Sequence, residues 1–469
     1  MIIFIAGGGR VGYYLARLLS SESHDIYLIE TDKQRIGIIE NTLDVKPIQG
    51  NGADALLLQQ QGVSEADLFV ASMGNDEINL IAAGIAKGLG AKTSVARVDS
   101  LMYVKANIIY ESQFGIDYIL SPDALAAADI CNYIENPGVL ASETLGKDRI
   151  HMRQIDVAKT PTTGGKTIRD VIPPNSGVLL AVIERKGEVF IPHGNDTVEV
   201  GDHLILVGHK DKLPAVQRLF LGEDQRINRI TIMGATPLAF HLVSSLGSKS
   251  RQVKVLERRP ERCQEFAEKL GRPQIVCRDA TSRSHLEQEN IQNCEVFIAT
   301  TNDDERNILA AVLAKEMGAK KVIAIVQQPD FAPLVERIGI DMAVTPRASV
   351  ANRIMRMVHR EVTSFTVVSE GKIEIIETAV HPESALVGVP LREAARRLPA
   401  DSLIAGVVRN DRVIIPSGDT VIEGKDVVII IAKTDVVEAA RKLVQEKAEN
   451  GLYKFIENSI GGVTRMFSA

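Results

Sequence analysis

Ile2-Ile3-Phe4-Ile5-Ala6-Gly7-Gly8-Gly9-Arg10-Val11-Gly12 opens the chain, and the reading of this stretch decides the fold. Five apolar residues in a row read as a buried strand, and the residues after Gly12 have helical periodicity. Between them the glycines fall in the spacing G-x-G-x-x-G. Gly7 permits a tight turn, Gly9 lets the backbone approach a pyrophosphate, and Gly12 allows a helix to pack closely on the strand. The helix N-terminus then faces the anion. A lone glycine motif is a weak signal, and the strand before it and the helix after it are what give it meaning. Arg10 reads either as a phosphate contact or as an exposed residue at a helix start.

Working outward, the same rhythm continues. Asp25–Glu30, Val45–Ile48, Leu68–Ser72, Thr93–Val98 and Tyr118–Leu120 read as further buried strands, with helical segments of 8–15 residues between them. This βαβ alternation predicts a parallel, doubly wound sheet whose ligand lies beyond the carboxyl ends of the strands. Glu30 ends the second strand, 18 residues past Gly12, where an acidic side chain accepts hydrogen bonds from an adenosine ribose. An anion there repels a 2′-phosphate and favours NAD(H) over NADP(H). ATP or ADP satisfies the same half-site, because the motif reads ribose and phosphates rather than nicotinamide. Asp32 either shares this role or caps the next helix. Asn51, Met73, Gly74 and Arg97 lie at the ends of the third, fourth and fifth strands, and their position carries the argument more than their identity. Asn51 with Gly52 also reads as a plain turn.

The chain is then written a second time. Asn75-Asp-Glu-Ile-Asn-Leu-Ile-Ala-Ala83 recurs from Asp303 to Ala311, an offset of 228, and Phe114–Pro122 recurs as Ile338–Pro346. Pro192–Thr197 is echoed by Pro416–Thr420. The organisation expected is α/β: two doubly wound Rossmann-like parallel-sheet domains, each followed by a small α+β domain. The boundaries read as 1–136, 140–222, 227–361 and 364–446. Linkers are expected near Asn136-Pro-Gly138 and Leu221-Gly-Glu-Asp224, and a short helix near Thr167–Val171. In the second copy the glycine turn becomes Gly234-Ala-Thr236-Pro237-Leu-Ala239. Thr236 adds a Cβ at the pyrophosphate approach, and Pro237 cannot donate an N–H. Glu257 keeps the ribose position but is followed by Arg258 and Arg259. The counterpart of Arg97 is Ile325. The second domain is expected to fold, with nucleotide binding that is weakened or differently selective.

Composition narrows the classes. The chain has 469 residues, 45% hydrophobic and 24% charged, with no Trp and 36 Gly, which suits Val/Ile/Ala-rich α/β layers and several domains. A formal net charge of −6, with no helix-turn-helix and no basic face, argues against nucleic acid as partner. No apolar run approaches the roughly 20 residues that cross a bilayer, and the start lacks a basic leader. A cytoplasmic chain is expected. Cys131, Cys263, Cys277 and Cys294 form no CxxC pair and read as reduced, partly buried packing residues. A NAD-dependent oxidoreductase is the alternative reading. It needs a placed acid or base, and His151, His193, His203 and His209 show no partner in the sequence. The chain is therefore expected not to be an enzyme, and no metal-ligand spacing is present.

The ordered motifs resemble a known family. They are the glycine turn, Gln49-Gly-Asn-Gly-Ala53, Ala66-Asp67, Asp76-Glu-x-Asn79, Ala96-Arg-Val98 and Gly115-Ile-Asp117. Together they look like the RCK (regulator of potassium conductance) Rossmann domain with its small C-terminal companion. Two such units in tandem, over about residues 1–446, resemble the TrkA family of cytosolic regulatory subunits of Trk potassium uptake systems. The resemblance implies a homo-oligomer, a dimer or tetramer ring, at the inner face of the membrane. It implies a potassium-conducting membrane subunit of Trk type as partner, and NAD(H), with ATP or ADP in many members, as the signal that gates it. Carried over, the binding positions are Gly7–Val11, Glu30, Met73, Gly74 and Arg97. This chain departs from the family at Met73-Gly74, where a hydroxyl residue is common, and at the Gly234 turn.

Overall fold

The computed structural model describes residues 1–20, 24–136, 139–145, 150–157, 166–172, 176–221, 227–247, 251–270, 274–328, 331–361, 366–368, 372–410 and 412–447. Most of both expected linkers (137–138 and 222–224) and the tail after residue 447 lie outside them. The chain divides into two compact units, each built from both copies of the repeat. One joins Met1–Pro137 with Arg226–Val358, and the other joins Gly138–Gln225 with His359–Ala469.

The first unit holds two parallel six-stranded sheets. The first comprises β1 (Ile2–Ala6), β2 (Asp25–Glu30), β3 (Lys46–Gln49), β4 (Leu68–Ala71), β5 (Thr93–Arg97) and β6 (Tyr118–Leu120), in the order β3-β2-β1-β4-β5-β6. This is the doubly wound order, with its crevice at the switch between β1 and β4. Strand ends moved by no more than about a residue from the sequence reading. β1 is buried on both faces from Ile3 to Ala6, which explains the continuous apolar run at the N-terminus.

A hairpin-rich sheet intervenes in the chain. It contains β7 (Val139–Leu145), β8 (Ile150–Asp156), β9 (Val178–Arg185), β10 (Glu188–Phe190) and β11 (His203–Gly208). The second parallel sheet follows, with β12 (Arg229–Met233), β13 (Gln252–Glu257), β14 (Gln274–Cys277), β15 (Val296–Ala299), β16 (Lys321–Ile325) and β17 (Met342–Val344). Its order, β14-β13-β12-β15-β16-β17, repeats the first. A second hairpin sheet closes the chain with β18 (Thr366–Val368), β19 (Ile373–Ala379), β20 (Ser402–Arg409), β21 (Arg412–Ile414) and β22 (Val427–Lys433).

The two parallel sheets exchange helices. Helix Pro122–Glu135 ends the first copy, yet its Ala126, Ala127, Ile130, Cys131 and Ile134 are buried among residues of the second sheet and of helix Pro237–Leu246. Helix Pro346–Glu361 ends the second copy, and its Val350, Ala351, Ile354 and Val358 are buried with Ile3, Ile5, Leu15 and Val70 of the first. The Ser349 hydroxyl donates to the Asp129 carboxylate at 2.6 Å where the two helices meet. Both helices open with proline in the first turn, and Ser121 caps the first through the Ala124 N–H. Sequence reading assigned each helix to the sheet it follows. Periodicity shows that a helix has an apolar face but not which sheet that face covers.

In the second unit the two antiparallel sheets pack face to face through Ile150, Met152, Val182 and Ile205 on one side and Ile373, Ile375, Ile429 and Ile431 on the other. The expected short helix is Ile168–Val171, capped by Thr167. The Arg185-Lys-Gly187 turn is a tight hairpin with positive φ at Lys186 (53°) and Gly187 (82°). β7 had not been read as a strand. Each module carries a duplicated clamp missed in the sequence. The Arg185 guanidinium donates two bonds of 2.8 Å to buried Asp202, and Arg409 donates bonds of 2.9 and 2.7 Å to buried Asp426. Both pairs are 17 residues apart, so the signal was available as a repeat of spacing.

Candidate functional site

The first crevice is built on the turn that follows β1. Gly7 has φ of 105°, and a Cβ there would stand 2.9 Å from the Met73 backbone nitrogen. A Cβ on Gly12 would meet the Gly7 carbonyl oxygen at 1.9 Å, so this position brings helix Arg10–Leu19 against the strand end. Gly9 differs from both: its φ is −72°, and a Cβ there would meet nothing within 4 Å. Its freedom from a side chain leaves space outside the fold, on the ligand side. The helix that follows has neither a side-chain cap nor an acidic residue in its first turn. Its first N–H groups and positive dipole end therefore suit an anion.

Glu30 lies beside this turn, only 7% exposed. Its Oε2 accepts from the Gly8 N–H at 2.9 Å, and its Oε1 accepts from the Thr31 N–H at 2.7 Å, the Asp32 N–H at 3.0 Å and the Thr31 hydroxyl at 3.1 Å. Burial pushes its pKa up, but the four donors outweigh it and hold the carboxyl below its ordinary value. The group is thus an anion at neutral pH, and Oε2 retains acceptor capacity for a ribose hydroxyl. Gly8 proves to anchor the carboxylate. Asp32 accepts from the Gln34 and Arg35 N–H groups, which is the capping alternative. Asn51 accepts from the Ala53 N–H at 3.0 Å in a turn. Gly52 is required there, because a Cβ would stand 2.5 Å from the Ala6 Cβ.

Across the crevice, Asn79 is fully buried and holds two strand ends together. It accepts from the Met73 N–H at 2.7 Å and donates to the Met73 and Arg97 carbonyls at 3.0 and 2.9 Å. Sequence reading had it only as a motif letter. Asn307 makes the same three bonds in the second copy, to Thr301 and Ile325. Arg97 donates to the Met73 carbonyl at 3.3 Å and pairs with Asp99, while its buried Nε has no partner among the described residues. A Cβ added at Gly74 would meet nothing within 4 Å.

The second crevice keeps the frame with different contents. Gly234 has φ of 99°, and Glu257 accepts from the Ala235 N–H at 2.9 Å, as Glu30 does from Gly8. Thr236 turns its side chain inward, capping its helix through the Ala239 N–H at 3.1 Å and bonding Thr300 at 3.0 Å. The threonine is thus accommodated by the fold, whereas Pro237 at the first helical position leaves one donor fewer. A cavity of about 310 Å³ opens here.

Two smaller readings are corrected. His203 does have a carboxylate partner: its Nδ1 lies against Asp156 across the β8–β11 register, in a half-exposed pair. The pairing arises between distant strands and is invisible in sequence. Cys131 and Cys294 are buried, but Cys277 is exposed. Among the described residues there is no cluster of metal-ligating side chains and no helix long and apolar enough to cross a membrane.

Two doubly wound sheets with glycine turns and buried carboxylates at the ends of their second strands, each copy followed by a hairpin-rich companion, define a class of tandem Rossmann-like proteins. The TrkA-N domain model matches residues 3–122 and 230–346, and the TrkA-C domain model matches 152–221 and 375–445. The chain belongs to the TrkA family. It is 32% identical to the Trk system potassium uptake protein TrkA homolog 2 of Methanosarcina mazei, over 94% of this chain and 99% of that protein. It is 31% identical to the Trk system potassium uptake protein TrkA of Halomonas elongata, over 92% of this chain and 95% of that one. Its fold is similar to the GsuK channel bound to NAD, with a TM-score of 0.61 at 19% identity over 94% of this chain and 78% of that one.

Proposed function

We propose that this chain is the nucleotide-sensing regulatory subunit of a potassium uptake system. NAD(H) binds the first crevice through the Gly7–Val11 turn, Glu30 and the Met73, Gly74 and Arg97 edge, and ATP or ADP competes for the same adenosine half. The observation that carries this reading is the open backbone at Gly9 beside an ionised, buried Glu30. The names of the TrkA relatives and the NAD-bound GsuK channel support it.

The protein acts at the cytoplasmic face of the membrane through a potassium-conducting partner of Trk type and performs no chemistry on its ligand. The nucleotide binds one shape of the assembly more tightly than another, and the partner reads that shape. Oligomerisation into a dimer or tetramer ring is supported by an exposed apolar surface. Ile78, Ile81, Ile108, Ile109 and Phe114 lie on the adjoining helices Asp76–Leu89 and Asn107–Phe114.

Gly9→Val tests the site. A Cβ at this position meets no atom within 4 Å and φ is ordinary, so the variant should fold. Its branched side chain occupies the pyrophosphate approach, and calorimetry should show NADH binding weakened by more than about 10-fold. In cells lacking the native protein and grown on limiting potassium, the variant should lose nucleotide-dependent uptake. A folded variant that binds NADH like the wild type would refute the assignment.

A further inference from the structure

The two crevices carry their charge in different places. In the first, the basic groups outside the ribose loop are Arg10 at the helix start and Arg97 at the end of β5. In the second, those positions are Pro237 and Ile325. The second cavity instead collects Arg258, Arg259, Arg262, Arg278 and Arg306. Arg258 and Arg259 follow β13 and Arg278 follows β14, and β13 and β14 both lie on the adenosine side of β12. Parallel register sets Glu257 beside Cys277, which brings the two basic loops together. At the places of Arg258, Arg259 and Arg278 the first copy has Thr31, Asp32 and Gly50, and only at that of Arg262 does it keep an arginine, Arg35, 3.7 Å from the Glu30 carboxylate.

Among the described residues, three of these arginines hold no carboxylate, although Arg262 and Arg278 each donate to a backbone carbonyl, of Ala235 and Cys277, at 3.4 Å. Arg306 pairs with Asp279 at 2.8 Å, and Arg259 bonds Glu257 through its N–H at 2.9 Å and its side chain at 3.4 Å. Arg258, Arg262 and Arg278 have no carboxylate ion-pair partner among the described residues, and all three are exposed to the cavity. Arg259 adds a compensating charge 3.4 Å from Glu257, at the place where the first copy has the anionic Asp32. Guanidinium groups bind phosphate oxygens in a planar, two-pronged fashion, and an arginine next to the ribose carboxylate is the recognised accommodation for a 2′-phosphate.

We infer that the second crevice takes an adenosine ligand carrying a phosphate on its ribose, of the 2′-phosphate class, rather than NADH. The inference rests on the nucleotide reading of the crevices proposed above. The loss of an N–H donor at Pro237 weakens pyrophosphate binding there, and the arginines supply the lost attraction on the ribose side. The two halves of the chain then report two chemically different nucleotides.

The test titrates the full-length protein with adenosine 2′,5′-bisphosphate, 5′-AMP, ATP and NADH. Wild type is compared with the Arg258→Ser/Arg278→Ser double variant and with Gly9→Val. The double variant should lose about 10- to 100-fold in affinity for the bisphosphate and keep its NADH affinity. Gly9→Val should do the reverse. Wild type should bind the bisphosphate at least about 10-fold more tightly than 5′-AMP. The inference is overturned if the bisphosphate does not bind, if the double variant binds it undiminished, or if 5′-AMP or ATP binds the second crevice as tightly. In those cases NADH binding that is still lost in Gly9→Val leaves the first-crevice reading standing. Absence of both NADH and bisphosphate binding overturns the two together.

Discussion

At the scale of single residues, Glu30 shows why a side chain proposed to bind the ligand is a poor place for a first mutation. Its carboxylate holds three backbone N–H groups and a hydroxyl, so removing it leaves several polar groups without a partner and disturbs the turn itself. Gly9 separates binding from folding more cleanly. Asp123, in the first turn of helix Pro122–Glu135, offers a test of the electrostatics around Arg97 and Asp99. Burial, helped by the nearby Asp99 charge and opposed by Arg97, pushes its pKa up to about 6. The folded state therefore holds this proton more tightly than the unfolded chain does. Its contribution to stability is full below the ordinary carboxyl pKa and is lost as pH rises through about 6. Asp123→Asn, which cannot ionise, should be more stable than wild type at pH 8, by about 1–3 kcal/mol. The advantage should shrink toward pH 5. Urea unfolding at the two pH values measures it, and a pH-independent difference would contradict the assigned ionisation.

At the scale of elements, the exchanged helices govern how the halves depend on each other. Helix Pro346–Glu361 buries Val350, Ala351, Ile354 and Val358 over the first sheet, and helix Pro122–Glu135 buries Ile130 and Ile134 over the second. A fragment ending near residue 225 therefore leaves part of one face of the first sheet uncovered, and a fragment starting there leaves part of one face of the second uncovered. Expressed alone, each should aggregate or unfold at low denaturant, and co-expressed they should assemble. Ile354→Ala, in the second copy of the sequence, should destabilise the first sheet by about 2–5 kcal/mol. Hydrogen exchange of β1 and β4 amides would detect it, and unchanged protection there would argue against the packing. The Arg185–Asp202 and Arg409–Asp426 clamps are local by contrast, joining a strand to the turn 17 residues on within one module.

At the scale of the whole molecule, the unpartnered apolar residues Ile108 (75% exposed) and Ile109 (63%) decide the assembly test. Single exposed apolar residues are ordinary, but these adjoin Ile78, Ile81 and Phe114 in one region. Leu309, Phe331, Leu334 and Ile338 expose apolar surface in the second copy. Replacing both Ile108 and Ile109 with Asp should leave the fold intact and reduce the oligomer to smaller species at micromolar concentration. Sedimentation velocity reads the outcome, and an unchanged sedimentation coefficient would remove this surface from the interface.

The sheets, their doubly wound order and the first crevice were legible because their signals are local. Continuous apolar runs mark strands buried on both faces, the glycine spacing marks a turn, and the end of β2 places Glu30. The repeat at an offset of 228 exposed the duplication without any structure. The edited turn at Gly234–Ala239 also announced itself in the sequence. What that edit means did not, because Arg262, Arg278 and Arg306 follow β13, β14 and β15 in the chain, and only the parallel pairing β14-β13-β12-β15 brings them to one cavity. The exchange of helices and the His203–Asp156 pair were hidden for the same reason. An apolar stripe states how much surface an element must bury, and only the folded chain decides against which neighbour, since both sheets of a duplicated sequence offer nearly the same complementary face.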